Sequence, residues 1–324
     1  TMSFQENCRT FTGTDVAAFV ILAEGLGVDV LGVNCSLGPM QLQPIVDQLL
    51  KYSSIPVMVQ ANAGLPKYGG NQTYYDINPD EYSREISIMA KKGAVIFGGC
   101  CGTTPEYIKS LIAALKELKP LEITKKHFTA ASSSSGTVFM GEEVKIIGER
   151  INPTGKKRLK EALRENNLDY IIREAITQQE SGSDILDINV GLPDIDEEEM
   201  MQKVITEVQS VVSLPLQIDS ANCRVIEAAA RIYNGKPIIN SVNGKKESME
   251  RIFPIVKKYG ALVVALTLNE EGIPSTREKR LEIASDIIET AKEYGIPEEN
   301  ILVDPLVLTA SAEQAAVMET LKAI

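Results

Sequence analysis

Residues 185–191 have the sequence Ile185-Leu186-Asp187-Ile188-Asn189-Val190-Gly191, an apolar run with polar residues at alternate positions. Side chains along an extended strand point to opposite faces in turn, so Asp187 and Asn189 share one face while Ile188 and Val190 share the other. We expect the apolar face to pack on helices and the polar face to line the interior of a barrel. The stretch therefore predicts a buried strand that ends in candidate site residues.

The same alternation of strand and helix extends through the rest of the C-terminal part. Further strands are predicted at residues 144–147, 216–218, 238–239, 262–266 and 301–303. Helical patterns, with apolar residues three or four apart, lie between them at residues 170–179, 198–212, 249–258 and 277–294. This order is typical of parallel strands joined by right-handed crossovers. The glycine loops of dinucleotide and P-loop folds do not follow these strands, so a barrel is favoured.

The N-terminal part has the same rhythm. Strands are predicted at residues 28–33, 55–59 and 93–97, and helices at residues 41–52, 79–92 and 105–118. Residues 122–143 are rich in serine and charged residues and have no apolar periodicity, which predicts a linker. The predicted domains are therefore residues 1–121, the linker 122–143, and residues 144–324.

The predicted fold class is α/β, with two parallel (β/α)8 barrels of the TIM type. A complete barrel needs about 250 residues, more than either segment has. By strand count, we expect the C-terminal half of the first barrel and the N-terminal three quarters of the second. The chain also opens on Thr1 rather than on methionine, so we expect it to be a fragment.

Composition excludes several classes of function. The chain of 324 residues has 33 Lys and Arg against 44 Asp and Glu, and a net charge of −11 argues against nucleic-acid binding. No apolar run reaches the roughly 18 residues of a membrane span. Five cysteines without regular spacing, and no signal-peptide pattern, predict a cytoplasmic protein. The single histidine, His127, lies in a polar stretch, so histidine chemistry is not expected.

Three cysteines follow predicted strands. Cys35 comes after the first strand, and Cys100 and Cys101 come after the third. The carboxyl ends of barrel strands meet at one face, so we expect these thiols to converge. Three thiolates suit zinc and leave its fourth position open for water or substrate. The alternatives are buried structural cysteines, or a closed structural zinc site whose fourth ligand is not identified.

The motifs around these cysteines resemble the zinc-dependent homocysteine methyltransferase family. The resemblance rests on Phe11-Thr12-Gly13-Thr14-Asp15, Leu31-Gly32-Val33-Asn34-Cys35-Ser36-Leu37-Gly38-Pro39, Asn62-Ala63-Gly64 and Phe97-Gly98-Gly99-Cys100-Cys101-Gly102-Thr103-Thr104-Pro105. It implies that Cys35, Cys100 and Cys101 bind zinc and that homocysteine binds beside them. The order of the two modules resembles the cobalamin-dependent methionine synthase family.

Polar residues also gather at the strand ends of the second segment. These candidates are Asn152, Asp187, Asn189, Asp219, Asn240 and Asp304. Carboxylates and amides side by side suit a flat heterocycle whose ring both donates and accepts hydrogen bonds, and a pterin fits that description. The alternative is a polar cap whose members satisfy one another.

This second segment is similar to the pterin-binding family that includes corrinoid-protein methyltransferases and dihydropteroate synthase. The resemblance implies that Asp219, Asn240 and Asp304 hold the pterin ring. Asn152, Asp187 and Asn189 lie at strand ends around the same pocket and are the candidates for catalytic roles. A further asparagine of that family would come from a seventh strand, which this chain does not contain.

Together the two resemblances imply a methyltransferase of methionine biosynthesis. The methyl group of 5-methyltetrahydrofolate would pass via cobalamin to zinc-activated homocysteine. A chain with one histidine has no Asp-x-His-x-x-Gly cobalamin motif, so cobalamin would come from another domain or protein. A corrinoid-protein methyltransferase or dihydropteroate synthase relative is one alternative, although it leaves the cysteines without a role. A non-catalytic remnant that binds zinc and folate is the other.

Overall fold

A computed structural model describes residues 1–70, 72–307 and 314–324. The chain divides into two compact units, Thr1–His127 and Phe128–Ile324. Each unit has its own hydrophobic core of buried residues. We therefore describe the two units separately.

The first unit is built on three parallel strands in the order β1-β2-β5. Its strands are β1 (Leu31–Asn34), β2 (Val57–Ala61), β3 (Pro66–Gly69), β4 (Gln72–Tyr75) and β5 (Ile96–Gly99). Its helices are α1 (Val16–Gly25), α2 (Pro39–Tyr52), α3 (Pro79–Lys92) and α4 (Pro105–Leu115). The predicted strands and the three predicted helices are present, with bounds shifted by a few residues.

Local sequence explains where these helices begin and what they bury. The Asp15 side chain accepts a hydrogen bond from the backbone of Ala18 and so caps α1. Asn78 and Glu81 form a reciprocal capping box at the start of α3, with proline at the first helical position. Along α2 the buried residues recur at helical spacing and form one apolar stripe facing the sheet.

Strands β3 and β4 form an antiparallel hairpin between β2 and α3. The sequence pattern did not predict this hairpin. Its first strand is exposed at all four positions, so no apolar alternation marks it. The hairpin matters because it carries Tyr75 to the neighbourhood of the cysteines.

The second unit contains a six-stranded parallel sheet whose strands lie side by side in chain order, from β8 to β13. Its strands are β6 (Thr129–Ser132), β7 (Thr137–Met140), β8 (Ile147–Ile151), β9 (Ile185–Ile188), β10 (Leu216–Asp219), β11 (Ile238–Asn243), β12 (Leu262–Leu266) and β13 (Ile301–Asp304). Its helices are α5 (Lys157–Arg164), α6 (Leu168–Glu180), α7 (Glu197–Val211), α8 (Cys223–Ile232), α9 (Lys246–Tyr259), α10 (Arg277–Glu293) and α11 (Gln314–Ala323). The α/β class and the parallel arrangement are confirmed.

The first strand of this sheet lies further along the chain than the apolar pattern indicated. The prediction was residues 144–147, but Val144 is 92% exposed and the strand runs over Ile147–Ile151. Gly148 explains the difference, because a Cβ at this position would lie 2.6 Å from the Ser183 hydroxyl and 2.7 Å from the Gln178 amide oxygen. Glycine therefore allows β8 to pack closely against these side chains, whereas the apolar residues before it are only loosely covered.

The segment predicted as a linker contains the antiparallel hairpin β6–β7. The hairpin packs on the amino-terminal ends of the parallel strands, where Ala131 shares an apolar cluster with Ile185, Ile238 and Leu262. Ser132 is hydrogen-bonded through its backbone to Lys236. The Tyr233 hydroxyl donates to the Ser132 carbonyl at 2.9 Å. These residues therefore belong to the second unit.

Among the helices in the described part of the chain, none combines the length and the apolar character needed to cross a membrane.

Candidate functional site

The three cysteines singled out in the sequence converge at the carboxyl ends of β1 and β5. The Cys35 sulfur lies 2.6 Å from that of Cys100 and 3.6 Å from that of Cys101, and the last two are 4.0 Å apart. We call these residues the thiol cluster. All three sulfurs are close enough to share one metal ion.

The backbone around the thiol cluster is folded tightly enough to aim all three sulfurs at one point. Cys35 has a φ angle of 59°, in the left-handed region, so the chain turns sharply as β1 ends. The loop after β2 holds the other side of the cluster, because the Asn62 side chain accepts from the Cys101 backbone N–H at 3.1 Å. The Thr103 hydroxyl donates to the Cys100 carbonyl at 2.6 Å.

Proton affinity differs among the thiols. The hydrogen bond between Cys100 and Cys35 lowers the pKa of Cys35, since the thiol of Cys100 stabilises a Cys35 thiolate. Burial, followed by the same hydrogen bond, raises the pKa of Cys100 to about 11. Of Cys35 and Cys100, Cys35 is therefore the thiol that loses its proton more readily. A donor set made only of sulfur fits a thiophilic ion such as zinc and leaves one tetrahedral position open.

Tyr75 is a neighbour of the thiol cluster that the sequence analysis missed. Its ring lies against Gly102, where an added Cβ would come within 2.3 Å of the Tyr75 ring. Burial raises the pKa of Tyr75, and the adjacent Cys101 sulfur adds to this effect. No sequence pattern indicates Tyr75, because its proximity to the cluster depends on the exposed hairpin β3–β4.

The second candidate site lies at the carboxyl ends of the six parallel strands. Strand register places Asp187 of β9 beside Gln217 of β10, and Asp219 of β10 beside Asn240 of β11. The polar sheet end, as we call it, consists of Asn152, Asp187, Asn189, Gln217, Asp219, Asn240 and Asp304. Interior-facing polar residues of adjacent strands are thereby brought within hydrogen-bonding distance.

Hydrogen bonds connect most of these side chains into pairs. Asp187 Oδ1 accepts from Gln217 Nε2 at 2.6 Å and from Asn240 Nδ2 at 3.4 Å. Asn189 Nδ2 donates to Asp219 Oδ2 at 2.9 Å. These three hydrogen bonds lie side by side on neighbouring strands, as expected for side chains that share the inner face of the sheet.

Asn152 and Asp304 occupy the two edges of the polar sheet end. Asn152 Nδ2 donates to Glu149 Oε1 at 2.9 Å, which links it to another side chain of β8. Asp304 Oδ1 instead accepts from the Leu306 backbone N–H at 2.8 Å and so stabilises its own loop. The sequence-predicted residues are therefore assembled at one end of the sheet, although the hydrogen bonds of Asn152 and Asp304 described here are to residues outside the central group.

Burial controls the charge of the two central carboxyl groups. Asp187 is 2% exposed, and burial raises its pKa from the model-peptide value of 3.8 to about 7. Burial also raises the pKa of Asp219, and its hydrogen bond with Asn189 opposes that effect. Asp187 thus carries a proton for part of the time near neutral pH.

Gln217 is the residue of this site that the sequence analysis missed, although a signal was available. In Leu216-Gln217-Ile218-Asp219 the polar residues alternate with apolar ones, as they do in β9. The rule that placed Asp187 and Asn189 on one face therefore also places Gln217 and Asp219 on one face.

A cavity of about 570 Å³ opens beside Asp219 and Asn240. The first residues of α8 and α9 form its outer wall, with Lys245 and Arg251 among the lining side chains. This volume lies within the range of small-molecule sites, which is about 300–1,000 Å³. The polar sheet end therefore borders a space that can accept an organic ligand.

Comparison with known proteins assigns a family relationship to both units. Residues 1–115 match the family model of homocysteine S-methyltransferase, and residues 148–324 match that of pterin binding enzymes. The methionine synthase of Mycobacterium tuberculosis is 32% identical over 311 residues, which is 93% of this chain and 26% of that protein. The methionine synthase of Mycobacterium leprae is 31% identical over 316 residues, again 93% of this chain and 26% of that protein.

Comparison with solved structures matches part of the chain to a dihydropteroate synthase from Xanthomonas albilineans in complex with 7,8-dihydropteroate. It matches with a TM-score of 0.44 and 18% sequence identity, over 60% of this chain and 70% of that chain. A second structure of the Xanthomonas albilineans enzyme, in complex with indole-2-carboxylic acid and 6-chloroguanine, has a TM-score of 0.46 and 17% identity, over 59% of this chain and 70% of that chain.

Proposed function

The chain belongs to the pterin binding enzyme family, and we propose that it catalyses methyl transfer in methionine biosynthesis. The methyl group of 5-methyltetrahydrofolate would reach homocysteine by way of cobalamin, which another domain or protein would hold. The observation that carries this proposal is the convergence of the three sulfurs of the thiol cluster. A pterin site alone would suit several reactions, whereas a thiol cluster in the same chain suits one in which the methyl acceptor is a thiol.

We propose that the thiol cluster holds zinc and that homocysteine sulfur takes the open fourth position. Bound zinc would act as a Lewis acid that keeps this sulfur deprotonated near neutral pH. The chain's own contribution is to hold three sulfur ligands in place. The loop of Asn62 fixes the Cys101 backbone, and the Thr103 hydroxyl fixes that of Cys100.

We propose that the pterin ring binds at Asp219, Asn240 and Asp304. Asp219 and Asn240 line the cavity, and their carboxylate and amide oxygens can accept hydrogen bonds from the N–H groups of a pterin ring. Hydrogen bonds to the ring, together with protonation of N5, would make the tetrahydrofolate amine a better leaving group. Asn152 and Asn189 belong to the same polar sheet end, and we propose catalytic roles for them.

The wider architecture is part of the proposal. Six neighbouring parallel strands in chain order are what a section of a (β/α)8 barrel contains, so we propose that residues 144–324 belong to one such barrel. Residues 1–121 would belong to another, with the intervening segment 122–143 between them. The chain spans 26% of its methionine synthase relatives, so the cobalamin partner is proposed rather than described. Free cysteines at five positions favour the cytoplasm as its location.

Two half-reactions test the proposal. The protein, loaded with zinc, is incubated with 5-methyltetrahydrofolate and free cob(I)alamin, and in a separate assay with methylcobalamin and homocysteine. We expect methylcobalamin to form in the first assay and methionine in the second. Binding of zinc and pterin without either product would identify a non-catalytic remnant, and a pterin-dependent first reaction without the second would favour a corrinoid-protein methyltransferase.

Asn240→Ala provides the matching test of the pterin site. Removing this half-buried hydrogen-bonding group, which a bound pterin would cover, should weaken 5-methyltetrahydrofolate binding by about 1–3 kcal/mol, measured by titration calorimetry. Asn234→Ala is the control. Asn234 lies exposed in the loop after α8, and its hydrogen bond to the Gln209 side chain is made by its backbone N–H, which the substitution keeps. Equal affinities of the Asn240 variant and the wild-type protein would remove Asn240 from the site.

A further inference from the structure

We propose that the buried residues Asp187 and Gln217 act as positioning residues that fix the orientation of the Asn240 side-chain amide. This inference rests on the proposed function and deepens it, because the orientation of Asn240 determines which group of a bound pterin the amide can meet. The argument uses three side chains on the adjacent strands β9, β10 and β11.

The hydrogen bonds around Asp187 permit only one orientation of the Asn240 amide. Asp187 Oδ1 accepts from Gln217 Nε2 at 2.6 Å and from Asn240 Nδ2 at 3.4 Å. Turning the Asn240 amide by half a turn would place its oxygen against Asp187 Oδ1, and two acceptor oxygens repel each other. The NH₂ group of Asn240 must therefore face Asp187.

The Asp187–Gln217 pair also contains buried polar atoms that lack hydrogen-bond partners among the described residues. Asp187 is 2% exposed and Gln217 is 5% exposed. Within the described part of the chain, neither Asp187 Oδ2 nor Gln217 Oε1 has a hydrogen-bond partner. Buried polar atoms without partners reduce stability, so an arrangement that served stability alone would not retain two of them. The pair is better explained by what it does for Asn240.

The result is a defined chemical preference at the cavity wall. With its NH₂ group directed at Asp187, Asn240 presents Oδ1 as an acceptor, and the Asp219 carboxylate beside it is also an acceptor. A wall of two acceptors selects a ligand edge that carries N–H donors. Reduced pterins have such an edge, whereas a ring edge made of carbonyl oxygens would be rejected.

The same geometry argues that Asp187 does not transfer a proton to the substrate. Its Oδ1 already accepts two hydrogen bonds, so a proton on this carboxyl group resides on Oδ2. Oδ2 is buried away from solvent. Asp187 is therefore a positioning residue, which revises the catalytic role expected for it from the sequence.

Two variants of Asp187 separate these roles. Asp187→Asn retains an oxygen that can accept from both amides, whereas Asp187→Leu has none. We expect the Asn240 side-chain NH₂ protons, assigned in NMR spectra with the help of Asn240→Ala, to exchange slowly with solvent in the wild-type protein and in Asp187→Asn. In Asp187→Leu they should exchange at least about tenfold faster, the effect of losing one hydrogen bond.

Binding of 5-methyltetrahydrofolate is the second readout. We expect an affinity within about threefold of wild type for Asp187→Asn and about tenfold weaker binding for Asp187→Leu. Asn300→Leu is the matched control, because Asn300 is a buried amide that bonds to Lys236 at the opposite end of the same sheet. It should lower stability without changing either readout.

The outcomes are distinguishable. Unchanged Asn240 exchange in Asp187→Leu would overturn the positioning role, as would normal binding with complete loss of methyl transfer to cob(I)alamin in Asp187→Asn. If Asp187→Leu does not fold, Gln217→Leu takes its place, and we expect faster Asn240 exchange in it as well. A wild-type protein that binds no pterin would contradict the proposed function, while the exchange measurement would still decide whether Asp187 positions Asn240.

Discussion

Asp187 couples the stability of the second unit to pH. Its pKa is about 7 in the folded protein against 3.8 for the free side chain, because burial disfavours the charged form. Between about pH 4 and pH 7, the folded protein therefore keeps a proton on Asp187 that the unfolded chain has already released. The stabilising contribution of Asp187 is fully present below about pH 4, decreases as the pH rises, and is lost once the pH has passed 7.

The Asp187→Asn variant should not show this loss. Relative to wild type, its free energy of unfolding should become larger by up to roughly 4 kcal/mol as the pH rises from 4 to 8. Urea unfolding of the ligand-free proteins at several pH values measures the difference. A constant difference across that range would show that the pKa of Asp187 is the same in the folded and unfolded protein, contrary to the effect of its burial.

Substitution of Cys100 tests whether the thiol cluster binds zinc. Replacing its sulfur by oxygen in Cys100→Ser removes one of three soft ligands, so bound zinc should fall from about one per chain to a small fraction. Elemental analysis of the dialysed protein gives the metal content. Cys223→Ser is the control, because Cys223 lies at the start of α8, outside the cluster. Equal zinc content in both variants would show that Cys100 is not a ligand.

At the scale of secondary structure, the β6–β7 hairpin is held by Tyr233. The Tyr233 hydroxyl donates to the Ser132 carbonyl and accepts from the Leu216 backbone N–H at 3.1 Å. Tyr233→Phe loses both hydrogen bonds in a buried setting and should cost about 1–3 kcal/mol of unfolding free energy.

Chemical denaturation checks this expectation against Tyr259→Phe, whose hydroxyl lies 3.5 Å from Glu227 in a half-buried position. That control should change stability by no more than about 0.5 kcal/mol. If the two substitutions had the same small effect, the hairpin would not depend on the Tyr233 hydroxyl.

The elements that sequence alone predicted are those whose pattern reflects burial on one face. Strands such as β9 and β12 follow from short apolar runs, and helix α3 follows from apolar residues three or four apart. The hairpins β3–β4 and β6–β7 could not be predicted in this way. The first hairpin is exposed. The second buries only small residues such as Ala130 and Ala131, and its segment therefore has the composition of a polar linker.

The site residues can likewise be divided into those that strand patterns predict and those that they do not. Cys35 and Cys100 could be brought together by reasoning from strand ends, since parallel strands end at one edge whatever their loops do. Tyr75 reaches the cluster through an exposed hairpin, so no periodicity reveals it. Gln217 could have been predicted from its alternation with Asp219, because both side chains occupy the same face of β10.

At the scale of the whole molecule, the two candidate sites belong to separate compact units with separate cores. A ligand stabilises the unit that binds it, by mass action. Zinc should therefore slow backbone hydrogen exchange in residues 1–127, and 5-methyltetrahydrofolate should slow it in residues 128–324. Exchange measured by mass spectrometry after proteolysis tests this, with unligated protein as the reference. Slower exchange in both units after the addition of zinc alone would contradict independent stabilisation.

The place of the β6–β7 hairpin determines how the chain can be dissected. A C-terminal piece that starts near residue 144 would lack Ala131 and leave the apolar side chains of Ile185, Ile238 and Leu262 open to water. Exposed apolar surface of this kind promotes self-association. A piece that starts at Phe128 retains the hairpin that covers these side chains. A C-terminal fragment should therefore begin sixteen residues upstream of the boundary that composition suggests.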